Sequence, residues 1–261
     1  MHFKDKVVLL TGASSGIGEA LAYVLSKEGA QLLLVARRQT ELERVAAACE
    51  GQTIILPADL YDPKAVQELA QKALNLVSKI DIVIHAAGVS QRAFTEETEP
   101  AVTRQLMQLN FFAPAELTQV LLPHFKEQGG GQVVFLNSVA GLFGVPLRSG
   151  YAAAKHALKG WAESLQTEGR IPGLSVCSVY AGRIRTPISL SALTGNGVPH
   201  GKMDAGQLNG IPVEKCVRKI LRGMVRRQSR VVIAGGERIL WWLWFFLPKV
   251  YARIAHRQGT K

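Results

Sequence analysis

Cysteine is scarce: Cys49, Cys177 and Cys216 are the only three among 261 residues. They are far apart, odd in number and never in a Cys-x-x-Cys pair. That excludes a disulfide framework and a zinc site, so no metal is expected and a reducing, cytoplasmic compartment is the default. No run of about 18 apolar residues occurs, which excludes an ordinary membrane-spanning helix. Met1 to Lys6 holds no apolar core of signal-peptide length before a strand-like segment begins. Internal repeats and low-complexity tracts are also missing. Acidic residues are nearly absent from one region: Glu214 to Lys261 carries two Asp/Glu against twelve Lys/Arg, which is ten of the eleven net positive charges. The body is therefore close to neutral, and the basic tail suits an anionic partner such as lipid headgroups. Nucleic acid is not expected, because no recognised motif accompanies the arginines of Arg222 to Arg230.

What is present reads as one α/β domain. Hydrophobic residues make up 48% and charged residues 20% of the chain, enough to bury a full core. Short apolar strands at 7–10, 31–36, 53–56, 81–84, 132–136 and 174–179 alternate with helical patterns. Helices are expected at 17–26, 40–49, 63–77 and 149–168, with a long helical stretch over 99–128 that Pro114 bends. Fully apolar strands between helices predict a Rossmann-like, doubly wound parallel sheet covered on both faces. Residues 1–235 form this domain. Within it, 184–210 is rich in glycine and reads as a mobile substrate loop.

Thr11-Gly12-Ala13-Ser14-Ser15-Gly16-Ile17-Gly18 lies between the first strand and the first helix. Glycines there let the backbone approach a pyrophosphate, and the helix N-terminus supplies free amides and a positive dipole end. A glycine-rich turn alone also serves tight packing; its place in the strand–helix order is what points to a dinucleotide. At the end of the second strand, where NAD-preferring sites usually carry an acidic residue, the chain reads Arg37-Arg38. Two arginines opening a helix oppose its dipole unless an anion such as a 2′-phosphate neutralises them. NADP(H) is the expected cofactor; the plainer alternative is two solvated arginines. Tyr151-Ala-Ala-Ala-Lys155 places a phenol and an ammonium four residues apart on one helical face, where the cation favours phenolate. Asn137-Ser138 closes a buried strand at the end that borders the ligand crevice in this architecture.

With these motifs in order, the chain resembles the classical short-chain dehydrogenase/reductase family from about Lys4 to Arg230. Thr11 to Gly18 matches the family's Thr-Gly-x-x-x-Gly-x-Gly turn. Asp59-Leu60 matches the Asp-Leu that lies near the adenine, and His85-Ala86-Ala87-Gly88 stands for Asn-Ala-Ala-Gly, with His85 read as a structural substitute. Asn110, Ser138, Tyr151 and Lys155 match the catalytic set. The resemblance implies that Tyr151 is the general acid in reduction and base in oxidation. It implies that Lys155 holds the nicotinamide ribose and lowers the tyrosine pKa, that Ser138 positions the substrate oxygen, and that Asn110 supports a water feeding protons to the lysine. Ala181-Gly182 replaces the family's Pro-Gly, and Ile184 and Thr186 match positions near the nicotinamide amide. A homodimer or homotetramer follows by resemblance only. The expected activity is NADP(H)-linked hydride transfer between nicotinamide and a carbonyl or secondary alcohol. The alternative is a non-catalytic dinucleotide-binding sensor or scaffold on the same fold.

Residues 236–261 form an apolar and basic extension. Leu240-Trp241-Trp242-Leu243-Trp244-Phe245-Phe246-Leu247 is flanked by Arg238, Lys249, Arg253 and Arg257. As a helix it is far shorter than the hydrocarbon core of a bilayer. Two readings stay open for 240–257: a peripheral contact with a membrane surface, or packing over the cleft or against a second subunit. Such tails in relatives that act on lipids and other greasy carbonyls imply a small-molecule, apolar carbonyl substrate.

Overall fold

The computed structural model describes residues 2–259. Seven strands form one sheet in the order β3-β2-β1-β4-β5-β6-β7, parallel throughout. They are β1 Val7–Thr11, β2 Gln31–Ala36, β3 Thr53–Pro57, β4 Ile82–His85, β5 Gly131–Ser138, β6 Leu174–Ala181 and β7 Arg230–Ile233. Six match the strands expected from apolar runs. The seventh, Arg230–Ile233, was not among them because its four residues sit in the basic stretch that masks their apolar character.

Alternate residues of each strand feed opposite cores, as a pleated strand requires. Val8, Leu10, Leu32 and Leu34 pack with α1 (Gly16–Lys27), α2 (Gln39–Ala47) and α8 (Val213–Val225). Val7, Leu9, Leu33 and Val35 face α3 (Pro63–Leu76), α5 (Ala113–Glu127) and α6 (Ser149–Glu168). Both faces are buried, so the strands read as unbroken apolar runs rather than as alternating ones.

Local chemistry sets the helix boundaries. The Asp62 carboxylate accepts the Lys64 amide at 2.9 Å, and Pro63 opens α3 where no amide hydrogen is needed. The expected long helix at 99–128 is α4 (Pro100–Met107) and α5 joined by a π turn at Gln108–Phe112. Pro114 has no amide hydrogen for the preceding turn, so the helix widens there rather than continuing with α geometry.

The chain runs outward from β1 to β3, then returns to place β4 on the other side of β1. This reversal opens a crevice at the carboxyl ends of β1 and β4. In the paired register Thr11 lies beside His85, and Ser138 lies beside Ala181. The glycine-rich turn, the 85–88 segment, Ser138 and Gly182 therefore share one edge of the sheet. The 184–210 segment crosses above it, with a short 3-10 turn at Pro187–Ser189 and α7 at Ala205–Leu208. It is tied to the body where the Leu193 amide donates to the Ser90 carbonyl at 2.9 Å and the Arg92 amide donates to the Leu193 carbonyl at 2.8 Å.

At the opposite edge, Asp81 fastens the start of β1. Its carboxylate accepts the Val7 amide at 2.9 Å, Lys6 Nζ at 3.0 Å and Lys79 Nζ at 3.2 Å. Burial opposes its ionisation, but the Val7 amide and the two lysines outweigh it and hold its pKa below the ordinary 3.8. A depressed carboxyl stabilises the fold above its unfolded pKa and loses that effect as pH falls through the native value. The stability advantage of the parent over Asp81→Asn, measured by denaturant melts, is expected to be constant near neutrality and to shrink below about pH 4. An unchanged gap down to about pH 2.5 would contradict this role.

Candidate active site

The first wall of the crevice is the turn from Thr11 to Gly18. Gly12 has φ of 69°, and a Cβ there would lie 2.5 Å from the Ala87 amide nitrogen. A Cβ on Gly18 would lie 2.2 Å from the Gly12 carbonyl oxygen. Only glycine lets the turn, the first helical residues and the β4 segment come this close. Ser15 is the N-cap residue of α1, yet its side chain caps nothing. Ser14, Ser15, Gly16 and Ile17 thus surround a helix N-terminus whose amides remain available to an anion. Thr186 approaches this turn from above, its Cβ 3.3 Å from where a Gly16 Cβ would stand.

Arg37 and Arg38 lie at the far side, between β2 and α2, and both are exposed. Arg37 is 4.0 Å from Asp59, a loose pairing between two accessible groups. Asp59 also accepts the Tyr61 amide at 3.1 Å, and Leu60 is buried in the core beneath.

The second wall is α6. Tyr151 and Lys155 are both buried, at 8% and 4% exposure. The lysine ammonium lies 5.8 Å from the phenol ring centre and donates to the Leu136 carbonyl at 2.9 Å. Burial brings its pKa down to about 8. The Tyr151 phenol is pushed above its ordinary value by burial, while the Ser138 hydroxyl, Arg148 and Arg92 pull the other way. A net lowering by Lys155, expected from the spacing, is not what results: the shift is upward, the lysine is not among the groups that oppose it, and its ammonium is bonded to Leu136. Ser138 caps the 3-10 turn Val139–Gly141, accepting the Ala140 amide at 3.1 Å. Asn137 locks this corner, with its side-chain amide on the Lys155 carbonyl at 3.1 Å and its oxygen on the Ser138 amide at 2.7 Å.

Asn110 sits in the π turn. Its side-chain amide donates to the Leu106 and Val89 carbonyls, each at 3.0 Å, and its oxygen accepts the Val89 amide at 3.3 Å. It clamps the chain just after Gly88. A Cβ on Gly88 would fall 2.8 Å from Asn110 Oδ1 and 3.8 Å from Lys155 Nζ, so glycine keeps the space between those groups open. His85 is buried and stacks on Phe135 at 5.0 Å. Its Nε2 lies 2.8 Å from Thr118 Oγ1, whose own hydrogen goes to the Pro114 carbonyl. That assigns the imidazole proton to Nε2. Burial, then the Lys155 charge, lower its pKa to about 3, so it is a neutral strut between β4 and α5.

These walls enclose a cleft of about 1020 Å³. Ile17, Ala87, Gly88, Asn110, Ser138, Tyr151, Lys155, Gly182, Ile184 and Thr186 all line it. The remaining expected cofactor residues, Gly12, Ser14, Ser15, Gly16, Gly18, Arg37, Arg38, Asp59 and Leu60, are not part of that lining.

A family profile described as short chain dehydrogenase matches residues 6–195. The chain belongs to the short-chain dehydrogenase/reductase family. It is 38% identical over 253 residues to the mouse protein "Dehydrogenase/reductase SDR family member 7", covering 94% of this chain and 75% of that one. Among solved structures, a short-chain dehydrogenase from Sphingobium yanoikuyae in complex with NADPH superposes with a TM-score of 0.76 at 28% identity, over 87% of each chain. A second, from Burkholderia phymatum in complex with NAD, superposes with a TM-score of 0.77 at 22% identity, over 89% of this chain and 90% of that one, and shares the fold.

Several residues of this short-chain dehydrogenase/reductase site went unnoticed in the sequence. Arg92 and Arg148 line the cleft with Asp204 from the overlying segment. Glu237 lines it too, at the start of α9 (Glu237–Phe246); Leu240 of α9 and Ile254 of α10 (Pro248–Gly259) also line it, as the cleft-packing alternative for 240–257 expects. Leu240, Trp241 and Tyr251 pack on Val139, Leu142, Phe143 and Tyr180, and the Tyr251 hydroxyl donates to the Gly144 carbonyl. Gln91 is fully buried; its side-chain oxygen accepts the Gly150 amide at 2.8 Å and the Tyr151 amide at 3.2 Å. A glutamine downstream of β4 that caps a helix sixty residues later leaves no local pattern to read. Gln91→Ala strands two buried amides, and a loss of about 1–3 kcal/mol in a denaturant melt is expected. No measurable loss would show that the amides do not depend on it.

Proposed function

We propose that this protein is an NADP(H)-dependent oxidoreductase that interconverts a carbonyl and a secondary alcohol on a lipophilic small molecule. The observation that carries the reading is the convergence of Asn110, Ser138, Tyr151 and Lys155 on one cleft at the switch point of the sheet. When bound, the nicotinamide supplies or accepts the hydride; the chain supplies orientation and proton transfer.

The residues fit such a cofactor. The uncapped α1 N-terminus and the close approach at Gly12 suit a pyrophosphate. Lys155 spends one hydrogen bond on Leu136 and keeps two donors for ribose hydroxyls. Arg37 and Arg38, exposed at the start of α2, support the choice of a 2′-phosphate, since Asp59 holds Arg37 only at 4.0 Å. Ile184 and Thr186 line the cleft, and by resemblance they would border the nicotinamide amide.

Tyr151 is protonated at neutral pH, its pKa raised by burial, so it can donate to a carbonyl oxygen as reduction proceeds. Ser138 holds that oxygen. Arg148 and Arg92 ease formation of the phenolate left behind, and Asn110, fixed across the Gly88 gap from Lys155, supports the proton path to the lysine.

The apolar wall from α9 and α10 supports a lipophilic substrate. Elsewhere on α9, Ile239, Trp242 and Phe245 are exposed, at 66%, 58% and 67%, and Arg238, Lys249 and Arg253 flank them in the sequence. No helix among the described residues is long and apolar enough to cross a membrane. An apolar ridge with basic flanks fits peripheral contact with anionic lipid.

Three outcomes are expected. Tyr151→Phe lowers turnover by about 10²–10⁴-fold with cofactor binding retained, in a steady-state assay paired with calorimetry; full turnover would favour the sensor or scaffold reading. Arg37→Asp weakens NADPH binding by about tenfold or more and leaves NADH binding nearly unchanged; equal weakening of both would remove the case for NADP(H). Truncation after Gly236 reduces co-sedimentation with vesicles containing anionic lipid, whereas unchanged sedimentation would assign the helices to cleft packing alone.

A further inference from the structure

The substrate end of the cleft carries more positive charge than it neutralises. Arg92, Arg148 and Arg183 line it, against Asp204 and Glu237. Glu237 lies 3.8 Å from Arg183 and accepts the Arg183 amide at 3.0 Å. Asp204 is taken by Arg92: its Oδ2 receives Nε at 2.8 Å and Nη2 more closely still. Arg92 spends both Nη1 hydrogens on Ser90 Oγ at 2.8 Å and the Gln91 carbonyl at 2.6 Å. With four of its five donors used, it is a buried strut, with a side chain 9% exposed, that pins the overlying segment to the body.

Arg148 is different. Its side chain is three-quarters buried, and it gives one hydrogen bond, from Nη1 to the Pro146 carbonyl at 3.1 Å. The Asp204 oxygen it faces is 3.7 Å away, beyond hydrogen-bond reach, and already holds Arg92. Burial and the neighbouring Arg92 charge lower its pKa to about 10, still charged at neutral pH. A guanidinium with most of its fork unspent, facing a cavity, has the geometry to grip an oxyanion bidentately. It is the N-cap residue of α6, three positions before Tyr151, and its charge acts on the phenol, so an anion held there lies beside the reacting centre. The same cleft is lined by apolar side chains as well, Phe143, Val145, Leu240 and Ile254 among them, and by Arg257 of α10.

We propose that Arg148 is a specificity-determining residue that binds an oxyanion group, carboxylate or phosphate, on an otherwise apolar substrate. The substrate class is an amphipathic anion, its charged group on Arg148 and its chain against α9 and α10. Calling this ligand a substrate rests on the oxidoreductase reading; the binding itself does not.

Calorimetry on the NADPH-loaded protein with dodecanoate, dodecyl phosphate and methyl dodecanoate, below their aggregation concentrations, tests it without turnover. Both anions, or one of them, should bind about tenfold or more tighter than the neutral ester, and the tighter anion names the group. Arg148→Gln should erase that preference while leaving the ester's affinity in place. If Arg148→Gln loses all three ligands, Arg148→Lys decides: a recovered preference for anion over ester supports the assignment, and none overturns it. An ester that binds as tightly as the anions, or a preference that survives Arg148→Gln, also overturns it. Such a failure would leave NADPH-linked turnover of neutral ketones intact, whereas failure of the oxidoreductase reading would show as no cofactor consumption on either kind of ketone.

Discussion

A buried ammonium organises this molecule's working end. Lys155 is 4% exposed and has one protein hydrogen bond, to the Leu136 carbonyl. Removing a charge from water without an ionic partner is costly, and its pKa falls to about 8 as a result. The neighbours are arranged to tolerate it. Asn137 ties down the lysine's own carbonyl, Gly88 leaves the space beside its nitrogen open, and the Tyr151 ring lies against it. The same charge helps keep His85 neutral, which lets that ring serve as a packed strut rather than a second proton carrier. The lysine's two unspent donors suit a polyhydroxyl group, and in the proposed function they would join cofactor binding to the phenol.

The topology makes this assembly possible. Reversal of strand order at β1 and β4 brings residues from Thr11, His85, Ser138 and Gly182 to one sheet edge, though they are separated by up to 171 positions in the chain. Three helix-borne groups then close in. Tyr151 and Lys155 come from α6, fixed at its start by Gln91, and Asn110 comes from a π turn that frees the Leu106 carbonyl to take its side chain. Above them the 184–210 segment brings Asp204 onto Arg92, and α9 and α10 supply an apolar wall. The cleft thus has a hydrogen-bonded floor around the Lys155 ammonium, an arginine-rich flank and a greasy side.

The motifs that read well in the sequence are those in which local spacing and function coincide. The glycine turn must be contiguous, and Tyr151 and Lys155 must share a helical face, so both show in a linear pattern. Six of the strands were visible because sheets covered on both faces need unbroken apolar runs. What stayed hidden depends on long-range partners. Gln91 caps a helix far downstream, Arg148 is notable only because Arg92 has claimed Asp204, and β7 is too short to stand out among arginines. The lysine's effect on the tyrosine was expected from spacing, but spacing does not say which way an ammonium turns, and here it turns to Leu136.

The arrangement stands on the dinucleotide and the phenol meeting over Lys155. A crystal structure with NADPH bound reads this directly. The account predicts the lysine ammonium hydrogen-bonded to the nicotinamide ribose and the Tyr151 hydroxyl opening onto the same chamber as the nicotinamide ring. A nicotinamide seated outside that chamber, or a ribose held by other groups with Lys155 still bonded to Leu136 alone, would contradict it.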